Sequence, residues 1–111
     1  MRWTRYVRGD IYRFRANKHA HGHEQRGTRY AVVVQADYLN LSTLLVAPTS
    51  TSARPSDFRP TITIDGTETR VLVEQMTAVN AETRLGDFAG RLDAEELTEL
   101  DHALALVLGL F

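Results

Sequence analysis

The sequence predicts a mainly β (α+β) protein: a small, strongly curved antiparallel sheet or open barrel of five to six strands, followed by a C-terminal α-helix. Short apolar runs recur between turn signals along most of the chain, and the apolar spacing becomes helical after residue 93. At 111 residues the chain can build one modest core. We therefore expect a single domain, residues 1–111.

The first two predicted strands flank a long polar segment. Asp10–Phe14 alternates polar and apolar residues, as half-buried strands do, and Gly9 before it provides an entry turn. Residues 30–34 form a continuous run of β-favouring side chains, which predicts a central strand. The segment between them, residues 16–27, is polar and has no apolar period, so we predict a long loop there.

Turn signals separate the strands that follow. Four further runs predict strands, at residues 43–47, 61–64, 70–74 and 85–92. Pro60 requires the strand that it precedes to begin at or after residue 60, and Asp65-Gly66 is a strong hairpin signal. These short runs, joined by turns, favour antiparallel pairing.

The terminal helix is marked by a start signal and by its apolar period. Asp93 and Glu96 are spaced as a capping box, and acidic residues fill the first turns, where the helix dipole favours them. One helical face carries the apolar residues Leu97, Leu100, Leu104, Val107 and Leu108.

Composition restricts the class of protein. The hydrophobic fraction is 43% and the charged fraction 24%, as in ordinary soluble proteins. The absence of cysteine excludes disulfides and thiolate metal sites. The N-terminus has no signal-peptide core, and residues 103–111 are too short to cross a bilayer, which takes about 20 residues. We expect a cytoplasmic protein with no membrane partner.

The net charge of −1 conceals an asymmetry. Residues 1–30 contain eight Lys/Arg and two acids, whereas residues 81–111 contain two Arg and seven acids. A basic front of this kind can bind a polyanion. The alternative is two solvated faces of opposite charge.

Two polar clusters at predicted strand ends favour an anion site. Arg29 lies where a polar segment meets the strand at 30–34, and residues 48–52 end the next strand. A guanidinium binds a phosphate through two N–H groups, and the Thr49 hydroxyl can donate a further hydrogen bond. An ion pair between Arg29 and a structural carboxylate is the alternative, with Thr49 as an ordinary strand-end hydroxyl.

Other chemistries have weaker support. His19, His21 and His23 alternate and could bind zinc or nickel, but they lie in a polar segment with glycine, and only His102 is found elsewhere. The serines lack a nucleophile-elbow motif, and no glycine-rich phosphate loop is present. Asp10 and Glu74 could form a carboxylate pair if the fold joined them. We expect no metal and no cofactor.

Four motifs, in this order, resemble the MazF/PemK/Kid toxin family. They are Arg8-Gly9-Asp10-Ile11-Tyr12, Gly22-His23-Glu24-Gln25-Arg26-Gly27-Thr28-Arg29-Tyr30-Ala31-Val32-Val33-Val34, Ala47-Pro48-Thr49-Ser50 and Val71-Leu72-Val73-Glu74-Gln75. The match continues through Asp87 and Gly90 to the closing helix. Each motif is short, but their order and spacing agree with the predicted strands.

The resemblance implies an SH3-like barrel with a terminal helix, forming a homodimer that acts as a sequence-specific, metal-independent endoribonuclease on single-stranded RNA. In that family the 2′-hydroxyl attacks the adjacent phosphate, leaving a 2′,3′-cyclic phosphate or 3′-phosphate and a 5′-hydroxyl. The catalytic positions fall on Arg29, as proton donor and charge stabiliser, and on Thr49, which positions the phosphate. Positions that line the family's RNA groove fall on His23, Glu24, Gln25, Ser50, Glu74 and Gln75.

Two positions depart from the family pattern. Tyr30 stands where relatives usually have proline. The tyrosine leaves the backbone at that joint free and adds a ring that could stack on a base. Leu72 stands where some relatives have a helper arginine. Arg70, two residues earlier on the same strand face, is the candidate replacement and joins the expected RNA-binding residues.

The resemblance also implies a partner: a cognate antitoxin whose acidic, partly disordered tail covers the basic groove and competes with RNA. Cleavage of RNA by the free toxin would inhibit translation and growth. One alternative is a CcdB-like topoisomerase poison, or a silent binding protein, of the same fold, acting through residues 109–111. The other is a metal-dependent enzyme using the histidine segment.

Overall fold

The computed structural model describes residues 6–15 and 29–110. Its strands are β1 (Asp10–Phe14), β2 (Tyr30–Val33), β3 (Leu44–Ser50), β4 (Thr61–Ile64), β5 (Thr67–Val71), β6 (Thr77–Val79) and β7 (Leu85–Arg91). A short helix α1 (Ala81–Arg84) precedes β7, and α2 (Ala94–Leu108) follows it. The predicted loop at residues 16–27 lies outside the described residues.

The sheet is antiparallel throughout and curls into a half-barrel. Six strands pair in the order β4-β5-β3-β2-β1-β7, and the short β6 pairs with β3. The prediction of a curved antiparallel sheet with a terminal helix is confirmed. The sequence patterns did not predict β6 or α1, because each is too short to show a period.

Strand β3 changes its neighbour along its length. Residues 44–46 pair with β6, and residues 46–48 pair with β2 on the other edge. Beyond them, Thr49 pairs with Val71 and Ser50 with Arg70, so β5 replaces β6 beside the end of β3. This exchange brings the β4–β5 hairpin next to the end of β3.

Buried side chains form one cluster on each face of the sheet. The cluster between the sheet and α2 contains Ile11, Val32, Val34, Ala47, Ile62, Ile64, Val71, Val73, Leu92, Leu100 and Ala103. The cluster on the opposite face contains Ala31, Val33, Leu44, Val46, Val79 and Leu85, with Tyr6, Tyr12, Phe14 and Ala81 packed against it. Both faces of β2 and β3 are therefore covered, which explains their continuous apolar runs.

The predicted strand at residues 70–74 is correct only to Val71. Residues 71, 72 and 73 are all buried, as they would be in a strand covered on both faces, so burial does not by itself end the strand. The backbone ends it: Leu72 donates its N–H to the Pro48 carbonyl, and Val73–Gln75 forms a 3₁₀ turn. Glu74 and Gln75 thus leave the sheet.

Helix α2 has the predicted capping box. Asp93 accepts a hydrogen bond from the Glu96 N–H at 2.8 Å, and the Glu96 carboxylate accepts from the Asp93 N–H at 3.0 Å. The other oxygen of Glu96 accepts from the N–H of Thr63, which ties the helix to edge strand β4. Among the described residues, no helix is long and apolar enough to cross a membrane.

Gly9 allows β1 to pass close beneath α2. Its φ is +91°, and a Cβ added there would lie 2.8 Å from the Leu97 side chain. Its N–H donates to the Val33 carbonyl, and its own carbonyl accepts from the Leu92 N–H. Only glycine fits this backbone and this contact without strain.

Candidate functional site

An open cavity of about 450 Å³ lies where β2, β3 and the β4–β5 hairpin meet. The two strands and the segment after β3 contribute Arg29, Tyr30, Thr49, Ser50, Thr51 and Ser52. The hairpin contributes Ile64, Asp65, Thr67 and Thr69. The two polar strand ends singled out in the sequence are therefore brought together, and hydroxyl groups dominate the walls between them.

Arg29 is the cation of this cavity. Its carbonyl accepts a hydrogen bond from the Phe14 N–H at 2.8 Å, which anchors its backbone to β1. Partial burial lowers the pKa of its guanidinium. Within residues 6–15 and 29–110, no salt bridge joins Arg29 to a carboxylate. A partly desolvated guanidinium facing a polar cavity is suited to bind an anion.

Thr49 is almost fully buried, with 4% of its surface exposed. Its Oγ1 donates to the Tyr30 carbonyl at 3.0 Å, which links the end of β3 to the start of β2. Because a hydroxyl has one proton and two lone pairs, Thr49 presents acceptor capacity to the cavity in this arrangement. The expectation that this hydroxyl donates to a phosphate therefore requires it to leave the Tyr30 carbonyl.

Ser50 shapes the segment that follows β3. Its Oγ accepts hydrogen bonds from the N–H groups of Ser52 and Ala53, at 3.2 and 3.1 Å. A serine hydroxyl bonded to the backbone two and three residues ahead closes a local turn. Ser50 thereby folds Thr51 and Ser52 back over the cavity.

The hairpin residues of the cavity were not expected from the sequence. Asp65-Gly66 was correctly identified as a turn, but nothing in the pattern related it to Arg29. Thr67 and Thr69 alternate along β5, and Thr69 is 3% exposed. Two buried or inward polar residues at a spacing of two on a short strand are a weak sign of a polar cavity wall.

A second polar cluster holds Glu74, separate from the residues that line the cavity. Arg59 donates to one Glu74 oxygen from Nε at 3.0 Å and from Nη2 at 2.6 Å, and the Gln75 amide donates to the same oxygen at 3.4 Å. Burial by itself raises the pKa of the Glu74 carboxyl, but these hydrogen bonds outweigh it, so the pKa lies below its ordinary value of 4.5.

Arg70 lies between the cavity and this second cluster. It pairs with Ser50 across β5 and β3, so the two side chains share a sheet face. Among the described residues, no hydrogen-bond partner is found for its buried Nε and Nη1, nor for Oε1 of Glu74. Buried polar atoms without partners are costly, which favours the binding of a further group there.

The two carboxylates considered as a pair have different partners. Asp10, 2% exposed, accepts from Arg91 Nε at 2.7 Å and from the Tyr12 hydroxyl at 3.5 Å. Glu74 is held by Arg59. Each carboxylate thus has its own arginine.

Several predicted residues lie outside the described part of the chain: His19, His21, His23, Glu24 and Gln25. His102 lies exposed on α2. Among the described residues, no group of three side chains is arranged to hold a metal ion.

Comparison with known proteins assigns the family. The model of the PemK-like, MazF-like toxin of type II toxin–antitoxin systems matches residues 7–108. A Mycobacterium tuberculosis protein named "Putative toxin" is 42% identical over 104 residues, which is 94% of this chain and 98% of that protein.

Solved structures share the fold. An endoribonuclease in complex with its cognate antitoxin, from a mycobacterial species, has a TM-score of 0.77 at 17% identity, covering 96% of this chain and 97% of that one. MazF from Deinococcus radiodurans has a TM-score of 0.76 at 23% identity, covering 96% and 98%. The chain belongs to the PemK-like, MazF-like toxin family of type II toxin–antitoxin systems.

Proposed function

We propose that this toxin is a sequence-specific, metal-independent endoribonuclease that cleaves single-stranded RNA, and that Arg29 and Thr49 act at the scissile phosphate. The observation that carries the proposal is an arginine without a carboxylate partner among the described residues, facing a hydroxyl-lined cavity beside Thr49. Two of the structural neighbours, one in complex with its antitoxin, are named endoribonucleases, in keeping with this activity.

The proposed chemistry uses a nucleophile that RNA itself supplies. The 2′-hydroxyl oxygen bonds to the adjacent phosphorus, and the bond from phosphorus to the 5′ oxygen breaks. Arg29 neutralises the charge that accumulates on the phosphoryl oxygens and gives a proton to the departing 5′ oxygen. Electrostatic stabilisation of this kind is strongest where water is partly excluded, and Arg29 is partly buried.

Thr49 would position the phosphate in this scheme. Its Oγ1 lies at a fixed point of the cavity while its proton is donated to the Tyr30 carbonyl, and on substrate binding that proton would turn to a phosphoryl oxygen. A side chain held in this way loses little conformational entropy when the substrate binds, which favours a productive orientation. Ser50 and the turn that it closes would contact the neighbouring nucleotide.

The RNA groove would continue from the cavity towards Arg70, Glu74 and Gln75. Arg70 shares a sheet face with Ser50 at the cavity, and two of its buried nitrogens have no partner among the described residues. Because these nitrogens have almost no accessible surface, the Arg70 side chain would turn outward to bind a phosphate oxygen of the next nucleotide. Arg70 would then replace the helper arginine that is absent at Leu72.

A cleavage assay in excess EDTA tests the proposal. The purified protein is incubated with long RNA, and the cut ends are mapped for 5′-hydroxyl and 2′,3′-cyclic phosphate groups. Arg29→Ala should abolish cleavage. Arg29→Lys should retain only weak cleavage, because lysine lacks the planar set of N–H donors with which a guanidinium binds two phosphate oxygens. Arg54→Ala is the matched control, since Arg54 is exposed and does not line the cavity.

The outcomes separate the candidate functions. No cleavage by the folded wild-type protein would sink the endoribonuclease and favour a topoisomerase poison or silent binder of the same fold. Cleavage only with added divalent metal would favour a metal-dependent enzyme. Equal loss in Arg29→Ala and Arg54→Ala would show that general positive charge, rather than the cavity, is what matters.

We further propose a homodimer that a cognate antitoxin neutralises through an acidic tail. The excess of eight basic over two acidic residues in residues 1–30 suits both RNA and such a tail. Cleavage of cellular RNA by the free dimer would inhibit translation and growth. Sedimentation equilibrium tests the dimer, and a poly-glutamate peptide, used as an acidic probe, should compete with RNA; lack of competition would remove the electrostatic part of the model.

A further inference from the structure

The proposed reaction leaves one proton unassigned. The attacking 2′-hydroxyl must lose its proton, but Arg29 is a cation with donors only. Thr49 is too weak a base to take the proton, since a neutral hydroxyl oxygen holds a second proton only in strong acid. Among the described residues that line the cavity, Asp65 is the one carboxylate.

The turn that carries Asp65 does not require a carboxylate. Asp65 and Gly66 have φ values of 51° and 80°, the pair of positive angles found in two-residue hairpin loops. Asn-Gly and Gly-Gly form such loops as well as Asp-Gly does. Non-glycine residues adopt positive φ at a cost, and Asn and Asp are the types that tolerate it best. The backbone therefore explains a short polar residue or glycine at position 65, but not its charge.

The Asp65 carboxylate is also uncommitted. Within the part of the chain that the structure describes, it takes part in no hydrogen bond and no salt bridge. By contrast, Asp10 and Glu74 each bind an arginine, and Asp93 and Glu96 cap α2. This carboxylate lies at the wall of a cavity whose arginine has no carboxylate partner among the described residues, and it is therefore available for chemistry.

We propose that Asp65 is the general base of the cleavage reaction, an assignment that rests on the proposed endoribonuclease function. Asp65 accepts the proton of the 2′-hydroxyl while the 2′ oxygen forms its bond to phosphorus. The bond from phosphorus to the 5′ oxygen breaks, and Arg29 supplies the proton to that oxygen. The reaction leaves Asp65 protonated and Arg29 neutral, and proton exchange with solvent restores both.

A general base removes a proton while the new bond to phosphorus forms, so removal of the Asp65 carboxylate should slow the cleavage step itself. General base catalysis contributes roughly 10²- to 10⁴-fold, so a loss of that order is expected.

The test compares variants that keep the turn and remove the charge. Asp65→Asn and Asp65→Gly both suit a positive φ, and the glycine variant cannot regain a carboxylate by deamidation of its side chain. Glu68→Gln is the matched control, because Glu68 is an exposed carboxylate of the same hairpin that does not line the cavity. Each protein is measured on RNA in EDTA under single-turnover conditions.

A second readout separates chemistry from binding. An RNA whose attacking 2′-hydroxyl is replaced by hydrogen binds but cannot react. Its affinity should change by no more than about twofold in Asp65→Asn and Asp65→Gly, whereas the rate of cleavage of normal RNA should fall by roughly 10² or more. Glu68→Gln should behave as the wild type does.

Two negative results are distinguishable. If the wild-type protein cleaves RNA and both Asp65 variants cleave it within about threefold of the wild-type rate, Asp65 is not the base, and the proposed function stands. A loss of affinity for the unreactive RNA that accounts for the whole loss of cleavage also overturns the assignment. If the wild-type protein does not cleave RNA at all, the proposed function fails and the role of Asp65 fails with it.

Discussion

Replacing Thr49 by valine separates its structural and chemical roles. The substitution keeps the β-branched shape and removes only the hydroxyl, whose proton the Tyr30 carbonyl holds at 3.0 Å. Thr49 is 4% exposed, so the carbonyl loses its donor in a place where little water can replace it. A hydrogen bond contributes about 1 kcal/mol, and an acceptor left unpaired costs about 1–3 kcal/mol. We expect the free energy of unfolding to fall by about 1–2 kcal/mol.

This loss is too small to unfold the protein. The free energy of unfolding of small domains is about 5–15 kcal/mol. Even at the low end, about 3 kcal/mol would remain, and less than about 1% of the molecules would be unfolded. Urea unfolding measures the change as a shifted midpoint at constant slope. If the single-turnover cleavage rate falls by more than a few per cent, the cause must then be a lost contact at the site rather than unfolding. We expect the cleavage rate to fall by about 10² or more. Thr49→Ser should recover most of the cleavage rate and most of the free energy of unfolding.

Two results would refute this reasoning. A Thr49→Val protein that is destabilised as expected but cleaves RNA within about threefold of the wild type would show that the hydroxyl only joins β3 to β2. A variant with unchanged unfolding free energy would show that the bond to the Tyr30 carbonyl contributes nothing.

Two further predictions concern the frame of the site. The pKa of Glu74 is lowered on folding, so its ion pair with Arg59 stabilises the protein above pH 4.5. This stabilisation is lost as the pH falls through the pKa of Glu74 in the folded protein. The urea midpoint of the wild type should therefore drop in this acidic range, and that of Glu74→Gln should drop less. Gly9→Ala should lower the free energy of unfolding by about 1–3 kcal/mol, because position 9 has a φ of +91° and an added Cβ would lie 2.8 Å from the Leu97 side chain. A melting temperature within about one degree of the wild type would contradict this.

The strands and the terminal helix could be predicted because their apolar periods are strong. The capping box at Asp93 also fixed the helix start to the residue. The strand predicted at 70–74 failed at Leu72, since consecutive apolar residues are compatible with either a strand buried on both faces or a turn through the core. The backbone hydrogen bonds decide for the turn: the Gln75 N–H donates to the Leu72 carbonyl, a contact that no local sequence pattern shows.

Half of the cavity could be predicted in the same way. Arg29 and residues 48–52 were expected together because polar residues ended two apolar runs. Asp65, Thr67 and Thr69 reach the same cavity only because β5 replaces β6 beside Thr49. That exchange is a property of sheet topology, which local patterns do not encode.

The tyrosine at position 30 illustrates how the fold replaces a missing constraint. Proline would fix the backbone beside Arg29 through its ring. Here the Arg29 carbonyl is bound by the Phe14 N–H, the Tyr30 carbonyl by the Thr49 hydroxyl, and the Tyr30 side chain packs against the core beneath α2. The ring thus lines the cavity while it packs against the core, and the joint is held by contacts instead of by covalent geometry. Because Thr49 is one of those contacts, the position of Arg29 depends on the hydroxyl that shares its site.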